Sequence, residues 1–287
     1  MWGLLRTFVS KSVSVEKMGY QAGPQRIVCL TEETVEWLYL LGESERIVGI
    51  SGFAMRPPEA RREKPKVSVF TDAKIDEIKS LKPDLVLGFS DIQAQIAHDL
   101  IREGLNVWCS NQRTLAEIQS ALIQLAAIVG RRSEAIEIID GWEREMESHR
   151  NKNISLTRPR VYFEEWPDPM MSGIRWVSEA IDLVGGRDVF VERSHSSLAK
   201  GRIIENQDIL EVDPEIYIGS WCGKGVKLDA VRARKGWANL SCVKDDALHE
   251  VKSTIILQPG PALFLEGIGA LEAIVRRWRS QKLSELG

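Results

Sequence analysis

From Pro24 onward, short apolar runs alternate with stretches in which apolar residues recur every three or four positions. Residues 26–30 read as a short buried strand, and Thr31 as the cap of a helix. Glu32 and Glu33 fall in the first turn of that helix, where the dipole favours carboxylates. Val35, Leu38 and Leu41 give it an apolar face, and Gly42 closes it. Residues 47–50 predict the next strand, and Pro57-Pro58 with the charged run to Lys66 predicts a loop. Ile75, Ile78 and Leu81 mark one face of a helix that leads through Pro83-Asp84 into a strand at 85–89. A further helix, with Ile92, Ile96 and Leu100 and a stop at Gly104, leads to a strand at 107–109. Strands alternating with helices in this way predict a parallel sheet covered by helices on both faces.

The alternation then pauses. Residues 115–129 predict one helix, and after Gly130 a second, capped by Ser133, runs to about Arg150. A helix of about 17 residues spans about 25 Å. A second alternating segment follows: a strand at 160–163, a helix at 177–184 closed by Gly185-Gly186, a strand at 216–218, and a terminal helix to about Lys282. The two halves resemble each other. Residues 75–88, with Leu81-Lys82-Pro83-Asp84 at their centre, align with 206–219, with Val212-Asp213-Pro214-Glu215 in the same place. The expected fold is therefore α/β, two Rossmann-like lobes with parallel sheets joined by one long rigid helix. The boundaries read from the pattern are 24–130 for the first lobe, 131–152 for the linking helix and 153–287 for the second lobe. Such a pair of lobes leaves a cleft between the strand C-termini, the usual ligand site of these sheets.

Composition narrows the functional classes. A 44% hydrophobic and 28% charged chain is globular, and a net charge of −3 supplies no basic field for nucleic acid. No run of about eighteen apolar residues predicts membrane insertion. Nine tryptophans against four tyrosines is an unusual ratio, and tryptophan often holds flat ligands or partners. Cys29 and Cys109 end apolar runs and read as buried thiols; Cys222 and Cys242 complete a set without zinc-like spacing, so no metal site is expected. His98 and His149 fall on predicted exposed helix faces, and His195 in a polar loop. No nucleophile elbow, P-loop, dinucleotide fingerprint or zinc-protease motif is present, and Gly219-Ser220-Trp221-Cys222-Gly223 reads as a binding loop; neither an enzyme nor a bound cofactor is expected. At the N-terminus, Arg6 and Lys11 interrupt the apolar residues and no signal-peptide core is visible, which predicts a cytoplasmic protein.

Pro24–Val28, the stretch 46–50 and above all Ile78-Lys79-Ser80-Leu81-Lys82-Pro83-Asp84-Leu85-Val86 resemble substrate-binding proteins of the cobalamin and iron–siderophore ABC importers. The similarity is greatest to vitamin-B12-binding members and covers roughly residues 24–280. It implies two lobes bridged by one helix, modest lobe motion, and a monomer that holds a corrinoid or other metal chelate between the lobes for an ABC permease. By resemblance, Phe53 and Phe70 in the first lobe, with Trp166 and Trp221 in the second, would stack on the ligand. Asp76, Glu77 and Glu250 would dock the permease.

The chain departs from that pattern at Thr31-Glu32-Glu33 and at the matching Glu164-Glu165-Trp166. Two Glu-Glu pairs flanking one cleft would favour amides, amines or a metal ion over an anionic chelate, with Arg175 and Arg56 as partners for the acids or the ligand. Two alternatives stand beside the importer role: a cytoplasmic binding or sensing protein, and an enzyme on the same scaffold using the acidic cleft.

Overall fold

The computed structural model describes residues 23–153 and 155–286. The first lobe comprises β1 (Ile27–Cys29), α1 (Glu32–Leu40), β2 (Ile47–Ser51), α2 (Pro58–Glu63), β3 (Lys66–Ser68), α3 (Ile75–Ser80), β4 (Leu85–Phe89), α4 (Ala94–Arg102), β5 (Val107–Ser110) and α5 (Leu115–Ile128). Its five strands are parallel in the order β3-β2-β1-β4-β5. The chain thus starts in the middle of the sheet and winds outward both ways. The crevice at that reversal lies beyond the C-terminal ends of β1 and β4. The stretch read as a loop after Pro57 contains α2: proline suits the first helical turn, and Ala60 is buried beneath the helix.

The linking helix is α6 (Arg132–Asn153), which begins one residue before the expected cap Ser133. The second lobe follows with β6 (Arg160–Pro167), β7 (Met170–Ser172), α7 (Arg175–Leu183), β8 (Arg187–Asp188), α8 (Val191–Ser194), α9 (Asn206–Val212), β9 (Ile216–Gly219), α10 (Leu228–Arg232), α11 (Ser241–Lys244), β10 (Leu248–Glu250), α12 (Ser253–Ile256) and α13 (Ile268–Leu286). Its sheet runs β10-β9-β6-β7, with β8 also on β6. All pairings are parallel except β6–β7, whose connection through Asp168-Pro169 is too short for a crossover.

The internal repeat has a physical basis at the Pro-acid turns. Lys82 and Asp213, each just before proline, both take left-handed backbone, with φ of 49° and 42°. In the first lobe Arg26 donates to the Leu81 and Lys82 carbonyls, and Asp84 accepts the Gln25 and Arg26 N–H groups. In the second, Arg160 donates to the Asp213 carbonyl and Glu215 accepts the Arg160 N–H. The same clamp ties the entry of the central strand to the strand beside it in each lobe.

One apolar core runs through both lobes and along α6. Trp142 of α6 stacks on Phe264 with ring centroids 4.7 Å apart and touches Trp37 of α1. Trp176 of α7 meets Phe89 of β4 edge-on across the lobe boundary and donates its indole N–H to the Ile256 carbonyl. Trp37, Trp142, Trp176 and Trp278 are buried in this core, and Trp221 and Trp237 in a separate core of the second lobe. Among the described residues no helix is long and apolar enough to cross a membrane.

Candidate functional site

The strand C-termini of both lobes deliver the side chains of the cleft. On the first lobe, β1 ends at Thr31-Glu32-Glu33. Thr31 occupies the N-cap of α1 in extended backbone, but its hydroxyl does not cap; it donates to Glu33 at 2.5 Å. The expected capping role is not realised: the Thr31 hydroxyl oxygen accepts no N–H of the first turn. Glu32 accepts the Met55 N–H at 3.1 Å and is itself 3% exposed. Burial pushes the Glu32 carboxyl up to about 8 and the Glu33 carboxyl up to about 7. The turn Pro259-Gly260-Pro261 closes over Glu33 so tightly that a Cβ on Gly260 would fall 2.4 Å from the Glu33 Cβ. Glu36, one turn further along α1, accepts the Ala262 N–H and pairs with Arg56, which also holds Glu266.

The second lobe treats its matching acids differently. Glu164 is fully buried, and Arg234 grips it through both terminal nitrogens at 2.6 and 2.9 Å. The Tyr162 and Tyr217 hydroxyls and the Trp221 indole N–H also donate to it, at 2.8, 2.9 and 3.0 Å. Glu165 is held by both terminal nitrogens of Arg202, a side chain only 4% exposed.

The residues proposed from sequence sort into three places. Phe53 is exposed at the end of β2, and Phe70, half-buried, follows β3. Trp166 is half-buried with the Lys224 ammonium 3.8 Å from its ring centre, whereas Trp221 is buried with its N–H committed to Glu164. Burial raises the Cys222 thiol pKa, with smaller contributions from Glu165 and Glu32. Arg175 pairs with Glu179 and lines a groove of about 430 Å³ between α5, α6, α7 and α8, which His195 also lines. Asp76 and Glu77 are exposed at the start of α3, where Glu77 pairs with Lys74, and Glu250 is exposed at the end of β10.

Two expectations outside the cleft are corrected. Cys109 is exposed on an edge strand, not buried, because only β4 flanks β5. His149 is mostly covered and lies 3.0 Å from Glu272, because α13 packs along α6. Sequence reasoning passed over Asp91, Arg113 and Arg202. Arg113 was discoverable, since the loop after a predicted parallel strand opens onto the cleft. Among the described residues no cluster of three or more histidine, cysteine or carboxylate side chains has the arrangement of a metal site.

The family model described as "Periplasmic binding protein" matches residues 27–254. The chain belongs to that family. The Bacillus subtilis ABC transporter substrate-binding lipoprotein YvrC is 22% identical over 86% of this chain and 79% of its own length. The periplasmic vitamin B12 binding protein BtuF of Vibrio cholerae superposes with a TM-score of 0.72 at 18% identity, covering 89% of this chain and 98% of its own. The periplasmic heme-binding protein RhuT of Roseiflexus sp. RS-1 gives 0.75 at 19% identity, covering 90% and 99%. The two-lobe architecture expected from periodicity is the one these structures share. Relatives in this family are substrate-binding proteins rather than enzymes. The cytoplasmic placement is overturned: a periplasmic binding protein with periplasmic and lipoprotein relatives points to the extracytoplasmic space. That placement rested on the segment before Gly23, which lies outside the described residues.

Proposed function

We propose that this periplasmic binding protein holds a flat metal chelate, of corrinoid or haem type, between its lobes and delivers it to an ABC permease. The observation that carries this is the apolar lip of the first lobe. Phe53, Met55, Val69 and Ile92 are 45–51% exposed, and all follow the C-terminal ends of β2, β3 and β4. Large apolar side chains left uncovered together at strand ends mark a surface that a ligand covers. Trp166, already under a cation, offers an aromatic face from the other lobe. B12-binding and heme-binding structures on the same fold support this ligand class.

Titration with cyanocobalamin, haemin and a ferric catecholate siderophore tests it, read by tryptophan fluorescence and calorimetry. Quenching and heat release with at least one probe are expected. No response to any of them at about 100 μM, a limit near −5.5 kcal/mol, would sink the proposal. For docking, the candidates are Asp76 and Glu77, exposed in the first turn of α3, and Glu250, exposed at the end of β10. Glu77→Arg with Glu250→Arg is expected to abolish association with a co-encoded permease in nanodiscs while leaving chelate affinity unchanged.

A further inference from the structure

A cavity of about 220 Å³ lies outside the cleft, between α13 and the turn that leads from α11 into β10. Its walls include Asp245 and Asp246 of the turn, His249 of β10, and Arg277, Trp278 and Gln281 of α13. The turn precedes β10, which runs parallel to β9 and β6. The cavity therefore sits at the N-terminal end of the second sheet, opposite to the strand ends that deliver Glu164 and Trp166. Gln281 donates to the Asp245 carbonyl at 3.2 Å, which ties α13 to the turn. A water molecule takes up about 30 Å³ of liquid, so the cavity has room for an ion of several heavy atoms.

The lining groups divide by sign. Both carboxylates are already matched: Asp245 pairs with Lys282 at 2.7 Å, and Asp246 with Arg232. The donors are not. The Trp278 indole N–H is buried without an acceptor, in a side chain only 5% exposed. A buried N–H left in that state is costly. Among the described residues no carboxylate stands within ion-pair distance of Arg277, which is exposed. The half-buried His249 has its pKa lowered, first by burial and then by the Arg277 charge, with Asp246 opposing more weakly. Of the two charges that act on the imidazole, the positive one prevails.

We propose that this cavity is a second binding site, separate from the cleft, for a small oxyanion such as a carboxylate or phosphate. Arg277 supplies the charge, in a planar fork that takes two oxygens. The Trp278 N–H and a ring N–H of His249 add donors from two different elements. An anion held there bridges α13 to β10, and because it binds the folded chain it stabilises that state in proportion to its concentration over Kd. The site does not depend on what the cleft holds.

The full chain labelled with nitrogen-15 at tryptophan gives one indole resonance for each of its nine tryptophans. Inorganic phosphate and citrate are titrated in at constant ionic strength, with chloride as the balancing and control anion. The Trp278 resonance, assigned through backbone-linked spectra and by its loss in Trp278→Phe, is expected to shift and saturate with at least one of them below about 10 mM. Arg277→Gln is expected to weaken that binding about tenfold, the scale of one charge-assisted contact. Asp246→Asn removes the opposing charge and is expected to tighten it, and asparagine tolerates the left-handed backbone of that position, φ 53°. Arg276→Gln, on the same helix but outside the cavity, should leave the affinity unchanged. Near-ultraviolet dichroism matching the parent establishes that the variants fold. A Trp278 resonance that stays still with both anions, a shift that chloride reproduces, or an affinity that survives Arg277→Gln would overturn the site, whatever the cleft binds.

Discussion

Each lobe carries a pair of glutamates near the C-terminal end of a central strand, Glu32 and Glu33 just after β1 and Glu164 and Glu165 within β6, and the two lobes solve their burial in opposite ways. Glu164 and Glu165 each meet an arginine that grips both carboxylate oxygens. Among the described residues Glu32 and Glu33 have no cation in ion-pair contact; Glu32 accepts the Met55 N–H and Glu33 the Thr31 hydroxyl. Burial without a countercharge raises a carboxyl pKa, and burial with one leaves a structural ion pair. A Glu-Glu doublet in the sequence therefore specifies neither a charged cleft nor a neutral one. The packing around it decides.

Breaking the paired side has the largest expected effect. Glu164→Ala strands Arg234 and leaves two tyrosine hydroxyls and an indole without their acceptor; a loss of about 3–5 kcal/mol is expected in urea unfolding. Stability within 1 kcal/mol of the parent would show that the arginine cluster does not hold the second lobe together.

On the unpaired side the sign reverses. The folded-state pKa of Glu33 lies near 7, above its ordinary 4.5, so its favourable contribution is complete below about pH 4.5. That contribution is lost as pH rises through 7, since the unfolded chain releases the proton first. Glu33→Gln is expected to match the parent near pH 4.5 and to exceed it by about 3 kcal/mol at pH 8. Parallel stability–pH curves for the two proteins between pH 4.5 and 8 would refute the neutral-acid account of the first lobe.

The smallest effect sharpens the comparison at the rim. Lys224 covers Trp166 in the second lobe, whereas Phe53 in the first has no such cation over it among the described residues. Lys224→Ala removes a contact of about 0.5–1 kcal/mol and uncovers the indole, and a red shift in tryptophan emission is expected. An unchanged spectrum would mean that the ammonium does not rest on the ring in solution.

Much of the architecture was legible because it is local. Apolar periodicity placed β1, β2, β4, β5, α1, α3, α4 and α5 to within a residue or two, and passed over the three-residue edge strand β3. The Pro-acid repeat marked the two lobes through a turn whose left-handed residue, proline and capping acid are consecutive, although the arginine that clamps each turn comes from the neighbouring strand. It missed α2, because a charged six-residue helix anchored by one buried alanine has almost no apolar stripe. The tryptophans misled for a related reason: an indole reads the same in a core and in a binding face, and here six are buried, four in the core along α6 and two in the core of the second lobe.

By itself, then, the sequence determined the alternation, the duplicated lobe, the bridging helix and the loops that open on the cleft, since each depends on contacts between chain neighbours or on a period of two or 3.6 residues. Only the tertiary structure decided the chemistry inside the cleft. Arg234 reaches Glu164 across 70 positions and Arg202 reaches Glu165 across 37, while Gly260 closes over Glu33 from the far end of the chain. Protonation and pairing follow from the distance and solvent access of groups that the sheets bring together, and no local pattern encodes either quantity.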